Sequence, residues 1–313
     1  MDILNNNKLA TKNIWFFDLD DTLVSTTDVH KKACSGVGEA LSKYLDSRIA
    51  KEIEELFCHY FQLIFDAYHV RSEDEWEKAC GSKEEYEELL SRVEKAQKNV
   101  IREYGYIKKW SREVLIKLAM EVVFKKHGMS IDIVKENPNL IYEPVIAYWN
   151  ITVEQMHVFD DAQKLLEEIR SRNEPIFITT SSDGRLLLDD DGEFYYDPFY
   201  SEKLKHERIE KMQDRGLIFN EIIIGDPEDK PSREYFQKAL NIAESYVEHR
   251  INTQNCIMVG DSYEGDLKIP LKKLNFGLCV LINRENSNSH FIEKNYFECH
   301  DLREIITRFI EGK

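Results

Sequence analysis

The stretch Ile14-Trp15-Phe16-Phe17-Asp18-Leu19-Asp20-Asp21-Thr22-Leu23 decides the fold. Four β-favouring apolar residues stop abruptly at an aspartate, as a buried strand does where it reaches the rim of a sheet. Outward from it the same texture returns at residues 176–178, 222–224, 257–259 and 278–282, each run ending in polar residues or glycine. Between the later runs lie residues at helical spacing: Ala162, Leu165, Leu166 and Ile169 in one segment, Tyr235, Phe236, Ala239 and Leu240 in another. The runs lack in/out alternation. They predict a parallel sheet covered by helices on both faces, an α/β, doubly wound, Rossmann-like core.

Residues 26–152 interrupt that core and read as helix almost throughout. Ile53, Leu56, Phe57, Tyr60, Phe61 and Ile64 fall on one face, and Tyr86, Leu89, Leu90, Val93, Val100 and Ile101 repeat the pattern. Ser82 with Glu85 predicts a capping box, and residues 110–124 are apolar enough for a central bundle helix. The expected organisation is a core of residues 1–25 and 153–313, a helical cap of 26–152, and, within the core, a β-hairpin at 185–197 signalled by Asp191-Gly192. Residues 24–30 and 150–158 would be the hinges of a lid that closes over the strand ends.

The chemistry gathers at the strand ends, where ligands bind in open α/β sheets. Asp18 and Asp20 project to one side of an extended chain. The fourth run ends Val259-Gly260-Asp261-Ser262, followed by Asp266. Asp18, Asp20 and Asp261 together offer hard oxygen ligands suited to Mg²⁺. The second run ends at Thr179 and Thr180, and Lys230 precedes the helix after the third; hydroxyls and an ammonium at the same rim suit phosphoryl oxygens. Taken singly, each aspartate is equally a helix cap or turn residue, Thr179 an end-of-strand hydroxyl and Lys230 a solvated charge. Four strand ends carrying this chemistry in one order argue for a site.

In that order the motifs resemble those of the haloacid dehalogenase (HAD) superfamily phosphatases. The resemblance covers residues 13–24 and about 160–283, and the helical insert is similar in position to the superfamily's C1-type cap. It implies that Asp18 is a nucleophile forming an aspartyl-phosphate and that Asp20 is the acid and base. It implies that Thr179, Thr180 and Lys230 hold the phosphoryl group, and that Mg²⁺ sits on Asp18, Asp261 and the backbone carbonyl of Asp20. Asp266 would orient Lys230 or a metal-bound water. The superfamily's dehalogenases lack the second aspartate of the first motif, so Asp20 favours phosphoryl chemistry. The chain departs from the pattern in the length of its 185–197 insertion and after Asp266, where Asn275 would take the left-handed position of a helix-ending glycine.

The 313 residues carry 42 Lys and Arg against 58 Asp and Glu, a formal charge of −16, which opposes nucleic-acid and anionic-lipid partners. A small phosphorylated metabolite is the expected partner, with phosphomutase, polynucleotide phosphatase and non-catalytic binding protein as the competing readings. Oligomeric state is not legible. The six cysteines form no CxxC and read as buried free thiols of a cytoplasmic protein. The nine histidines form no HxH or HxxxH pair; His30, just beyond the first motif, is the one placed to face a substrate.

Overall fold

A computed structural model describes residues 12–69, 76, 78–226, 228–286 and 288–310. The chain divides into two compact units, one of Met1–Ser25, His157–Ser181 and Met212–Lys313, the other of Thr26–Met156 and Ser182–Lys211. No helix among the described residues is long and apolar enough to cross a membrane.

The first unit is α/β. Strands β1 (Ile14–Phe17), β2 (Ile176–Ser181), β5 (Glu221–Gly225), β6 (Cys256–Gly260), β7 (Leu278–Ile282), β8 (His290–Glu293) and β9 (Tyr296–Cys299) form one sheet. Its order is β5-β2-β1-β6-β7-β9-β8, with only β8 antiparallel. The five sequence-predicted strands are all present, and they are buried on both faces because helices cover both. Phe16 stacks on Phe177, its register partner in β2, and meets Phe276 at a tilt. Tyr235, Phe236, Ala239 and Leu240 of the helix Arg233–Val247 close over that face. Asn275 takes a left-handed conformation with φ 57. Strands β8 and β9 carry no sequence signal: each has four residues, and β8 is an exposed edge.

The second unit is helical: α1 (Thr27–Leu41), α2 (Ser47–His69), α3 (Lys83–Ala96), α4 (Lys98–Tyr104), α5 (Arg112–Lys126), α6 (Ile133–Glu136) and α7 (Asn139–Gln155). To these it adds the hairpin β3 (Leu186–Leu188) and β4 (Phe194–Tyr196) and most of the helix Pro198–Gln213. The face of α2 that the spacing predicts is the buried one, with Ile53 and Phe57 fully enclosed. Ser82 caps α3 by accepting from the Glu85 amide at 3.1 Å, but the Glu85 carboxylate bonds His59 at 2.6 Å, so one arm of the capping box forms.

Four expectations are corrected here. The hairpin belongs to the helical unit rather than the α/β core: Leu186, Phe194 and Tyr196 join the helical core, β3 lying against α5 and β4 against α4. Turn chemistry identifies a hairpin but not the surface that will cover it. Cys34 and Cys58 are disulfide-bonded between α1 and α2, and Cys80 is exposed, whereas Cys256, Cys279 and Cys299 are buried thiols. The pairing follows from the packing of two helices 24 residues apart in sequence, which no spacing motif records. His30 is a core residue: it stacks on Phe61 at 4.1 Å, its Nδ1 lies 3.1 Å from the Tyr148 hydroxyl, and burial pushes its pKa down to about 3. Of the run Val100-Ile101, Val100 joins the core that Leu89 and Val93 build, from a new helix that starts after Gln97, but Ile101 is exposed.

Helix α5 also buries a charge. Glu113 is fully enclosed and accepts from Arg185 Nε at 2.6 Å. Breaking such a pair strands an ion in a low-dielectric interior. Arg185→Met is therefore expected to destabilise the protein by about 3–5 kcal/mol, and the double variant Glu113→Leu, Arg185→Met to recover most of that loss in denaturant unfolding. Equal stability of Arg185→Met and wild type would show that the pair is idle.

Candidate active site

All the sequence-selected residues lie in the α/β unit, at the carboxyl ends of β1, β2, β5 and β6. The strand order reverses there: the chain steps from β1 to β2 and β5 on one side, then returns to β6 and β7 on the other. The Asp18 amide donates to the Val259 carbonyl at 2.9 Å, extending the β1–β6 ladder by one residue and fixing where the first aspartate stands. A tight loop follows, with Leu23 and Val24 amides both donating to the Leu19 carbonyl. Asp21 sits at φ 60 in that loop, a left-handed position that aspartate tolerates better than most residues.

Lys230 is the centre of the site. Its ammonium donates to Asp18 Oδ1 and, at 2.7 Å, to Asp266 Oδ1, while its side chain is 4% exposed. The turn after β5 delivers it. Asp229 accepts from the Lys230 amide at 2.7 Å, and Ser232 caps the following helix by accepting from the Tyr235 amide at 3.0 Å. A Cβ at Gly225 would overlap the Asp229 carboxylate, so that turn closes only on glycine.

Asp266 is held on its other oxygen by the Ser262 amide at 3.0 Å. The segment from β6 to Asp266 is wound tightly, with Ser262 capping its first turn by accepting from the Gly265 amide at 3.1 Å. Carboxylate oxygens of Asp18, Asp261 and Asp266 all lie within 4.8 Å of one another. Burial pushes the Asp18 carboxyl up to about 7, an effect that Lys230 opposes and the charges of Asp266 and Asp20 reinforce. Burial, then Asp18 and Asp266, push Asp261 well above the usual carboxylate range. A rim where two carboxyls lean toward protonation has the character of a cation site. Both Asp266 oxygens are already engaged, so Asp18 and Asp261 are the side chains suited to hold Mg²⁺, and Asp266 positions Lys230.

The two threonines separate. Adjacent residues of a strand point to opposite faces, so Thr179 and Thr180 cannot both face Asp18. Thr179, fully buried, donates to the Phe17 carbonyl, the one before Asp18, at 3.2 Å. The Thr180 hydroxyl turns to the Ser181 carbonyl at 3.4 Å.

Sequence reasoning passed over Arg284 and Asp161. Arg284 donates to the Thr22 carbonyl at 3.0 Å and to Asp161 at 2.8 Å, pinning the loop that carries Asp20 and Asp21. Asp161 also accepts from the Leu302 amide at 2.9 Å. An isolated arginine 262 residues from its partner leaves no local pattern to find.

A family model described as hydrolase, haloacid dehalogenase-like hydrolase, matches residues 13–269. No curated protein matches the chain. Among solved structures, a protein assigned as the HAD-hydrolase YfnB from Bacillus subtilis, bound to magnesium, is 14% identical with a TM-score of 0.51, over 95% of this chain and 98% of its own. One assigned as a beta-phosphoglucomutase from Thermotoga maritima is 13% identical with a TM-score of 0.50, over 96% and 100%. A HAD phosphatase from Thermococcus onnurineus is 17% identical with a TM-score of 0.48, over 96% and 98%. Haloacid dehalogenases also match. At these identities the likeness shows the fold.

A Cβ on Gly260 would stand 2.5 Å from the Asp266 Cβ and Oδ2. Gly260→Ala should therefore push Asp266 off Lys230 and cost about 1–3 kcal/mol in denaturant unfolding, as overpacking does. An unchanged midpoint would mean that the turn relaxes freely.

Proposed function

The chain belongs to the haloacid dehalogenase-like hydrolase family, and on that premise we propose that it is a Mg²⁺-dependent phosphatase acting on a small phosphomonoester. The observation that carries the reading is Lys230 bridging Asp18 and Asp266 beside Asp261, with Asp20 two residues beyond Asp18. A haloalkane carbon needs no metal-binding carboxylate pair beside the lysine; a phosphoryl group with two negative charges needs the cation that such a pair would hold.

Asp18 attacks phosphorus through a carboxylate oxygen, forming an acyl phosphate as the bond to the leaving oxygen breaks. Asp20 donates its proton to that oxygen. Asp20, now a carboxylate, takes a proton from water, which attacks the phosphorus and releases inorganic phosphate and free Asp18. Lys230 offsets the charge of Asp18 and of the incoming phosphoryl oxygens, and Thr179 fixes the backbone from which Asp18 projects. Asp18 and Asp261, with the Asp20 carbonyl, would hold Mg²⁺, which would supply charge neutralisation at the phosphoryl oxygens.

Hydrolysis of p-nitrophenyl phosphate should require Mg²⁺ and cease in excess chelator; full rate without metal removes the metal from the reading. Asp18→Asn should abolish turnover, and near-normal turnover would make Asp18 structural. Asp20→Asn should slow hydrolysis of alkyl phosphates about 10²–10⁴-fold, the usual worth of a positioned acid, while still forming a trappable phosphoenzyme from an aryl phosphate. No rate loss on alkyl esters would refute the acid role.

A further inference from the structure

Helices α1 and α2 bring one imidazole and two sulfurs together inside the helical unit. His30 and Cys34 stand one turn apart on α1, so they share a face, and Cys58 reaches them from α2. The Cys34 sulfur sits beside the ring, 3.4 Å from His30 Nε2 and 3.9 Å from Nδ1, and the Cys58 sulfur lies 3.8 Å from Nε2. The three ligand atoms all fall within 4.8 Å of one another, the same closeness that the carboxylates of Asp18, Asp261 and Asp266 show. The Nδ1 atom is 3.1 Å from the Tyr148 hydroxyl, and Phe61 stacks on the ring at 4.1 Å. His30 and Cys34 are buried, whereas Cys58 is half-buried and opens the cluster toward solvent.

Two sulfurs and an imidazole are a soft donor set, which selects Zn²⁺ or Cu⁺ over the hard Mg²⁺ that carboxylates hold. An ion bound at about 2.0 Å to nitrogen and about 2.3 Å to sulfur keeps those two atoms about 3.5–3.7 Å apart across a tetrahedral or trigonal angle. The nitrogen–sulfur separations here already match that spacing. We infer that, with the Cys34–Cys58 disulfide reduced, His30, Cys34 and Cys58 form a binding site for a soft, thiolate-seeking metal ion. Opening the bond frees Cys34 to turn about its Cα–Cβ bond onto Nε2. The Tyr148 hydroxyl accepts from Nδ1–H, which selects the tautomer that leaves the Nε2 lone pair for the ion and fixes the ring, as the outer partner of a ligating histidine does. The ion then ties α1 to α2 in reducing conditions, as the disulfide does in oxidising ones.

The test uses the full chain carrying Cys80→Ser, so that the exposed thiol does not compete, with excess Mg²⁺ to keep the probe ions off the carboxylate rim. A dithiol reductant takes the disulfide onto its own two sulfurs, leaving a proton on Cys34 and on Cys58, and is removed under nitrogen. A thiol count on the unfolded chain verifies the reduction. Co²⁺ is titrated as the optical stand-in for Zn²⁺, and Zn²⁺ and Cu⁺ are each titrated against a chromophoric chelator. The expected result is a thiolate-to-metal charge-transfer band that saturates at a single ion, release of about two protons, a Kd of about 1 μM or tighter and a rise in unfolding temperature. Tighter Zn²⁺ would assign a four-coordinate site completed by water, and tighter Cu⁺ a three-coordinate one; either supports the site. Cys58→Ser should remove most of the band. Tyr148→Phe should weaken binding about 10–100-fold, and His30→Phe, which keeps a ring against Phe61, at least as much. A folded, fully reduced chain without the band, a disulfide that the dithiol opens only on unfolding, or a Kd unchanged in both Tyr148→Phe and His30→Phe overturns the proposal.

Discussion

A carboxylate enclosed beside other carboxylates keeps its charge only if something positive stands against it. At the strand ends Lys230 is that group, and the placement of its ammonium between Asp18 and Asp266 organises everything around it. The constraint reaches backward into the chain. The turn at Gly225 and Asp229 exists to deliver the lysine, the close approach at Gly260 to deliver Asp266, and the Asp18 amide's bond to Val259 to fix the nucleophile's height on the rim. Each of these is a backbone device at the end of a strand.

The parallel sheet makes this convergence cheap in sequence terms. Parallel strands all present their carboxyl ends on one edge, so residues more than two hundred positions apart, such as Asp18 and Lys230, meet without any long loop having to carry them. The central strands β1 and β6 carry the carboxylates, and the flanking β2 and β5 carry the hydroxyl and the ammonium. Burial first, and the neighbouring carboxylates after it, push Asp18 and Asp261 up, and the Lys230 ammonium opposes both shifts.

What could be read from the sequence follows the same logic. The five core strands and the rim residues were legible because a fully buried strand is an unbroken apolar run and its functional residue is the next polar one along; Asp18, Asp261 and Lys230 each sit at that position or just beyond it. That Thr179 and Thr180 separate was not legible, because a pair of adjacent threonines says nothing about which face each takes. Strand β8 was not visible because an exposed edge strand buries nothing on either face and so leaves no pattern. The hairpin announced itself through Asp191-Gly192, but its allegiance depends on which apolar surface is nearby, and that is a tertiary fact. The Cys34–Cys58 bond and the Arg284–Asp161 clamp share this character: each joins residues whose relation is set by packing alone.

The charged interior of the helical unit was hidden for a different reason. A formal charge of −16 is a sum over the whole chain and says nothing about where individual cations lie. Yet Lys108, Arg185, Lys205 and Arg208 are each no more than 6% exposed, and all lie in this one unit. In sequence they are indistinguishable from solvated charges, since nothing in their spacing differs from that of the exposed lysines around them. Their burial cannot be explained by stability, because well-packed apolar residues in the same places would be neutral or better. Arg185 answers to Glu113, a closed pair within the core. Lys205 and Arg208 both donate to Asp183 Oδ1, while Arg112 lies against the aromatic faces of Phe61, Tyr148 and Trp149, so charge inside this unit is held by side chains that only the packing brings together.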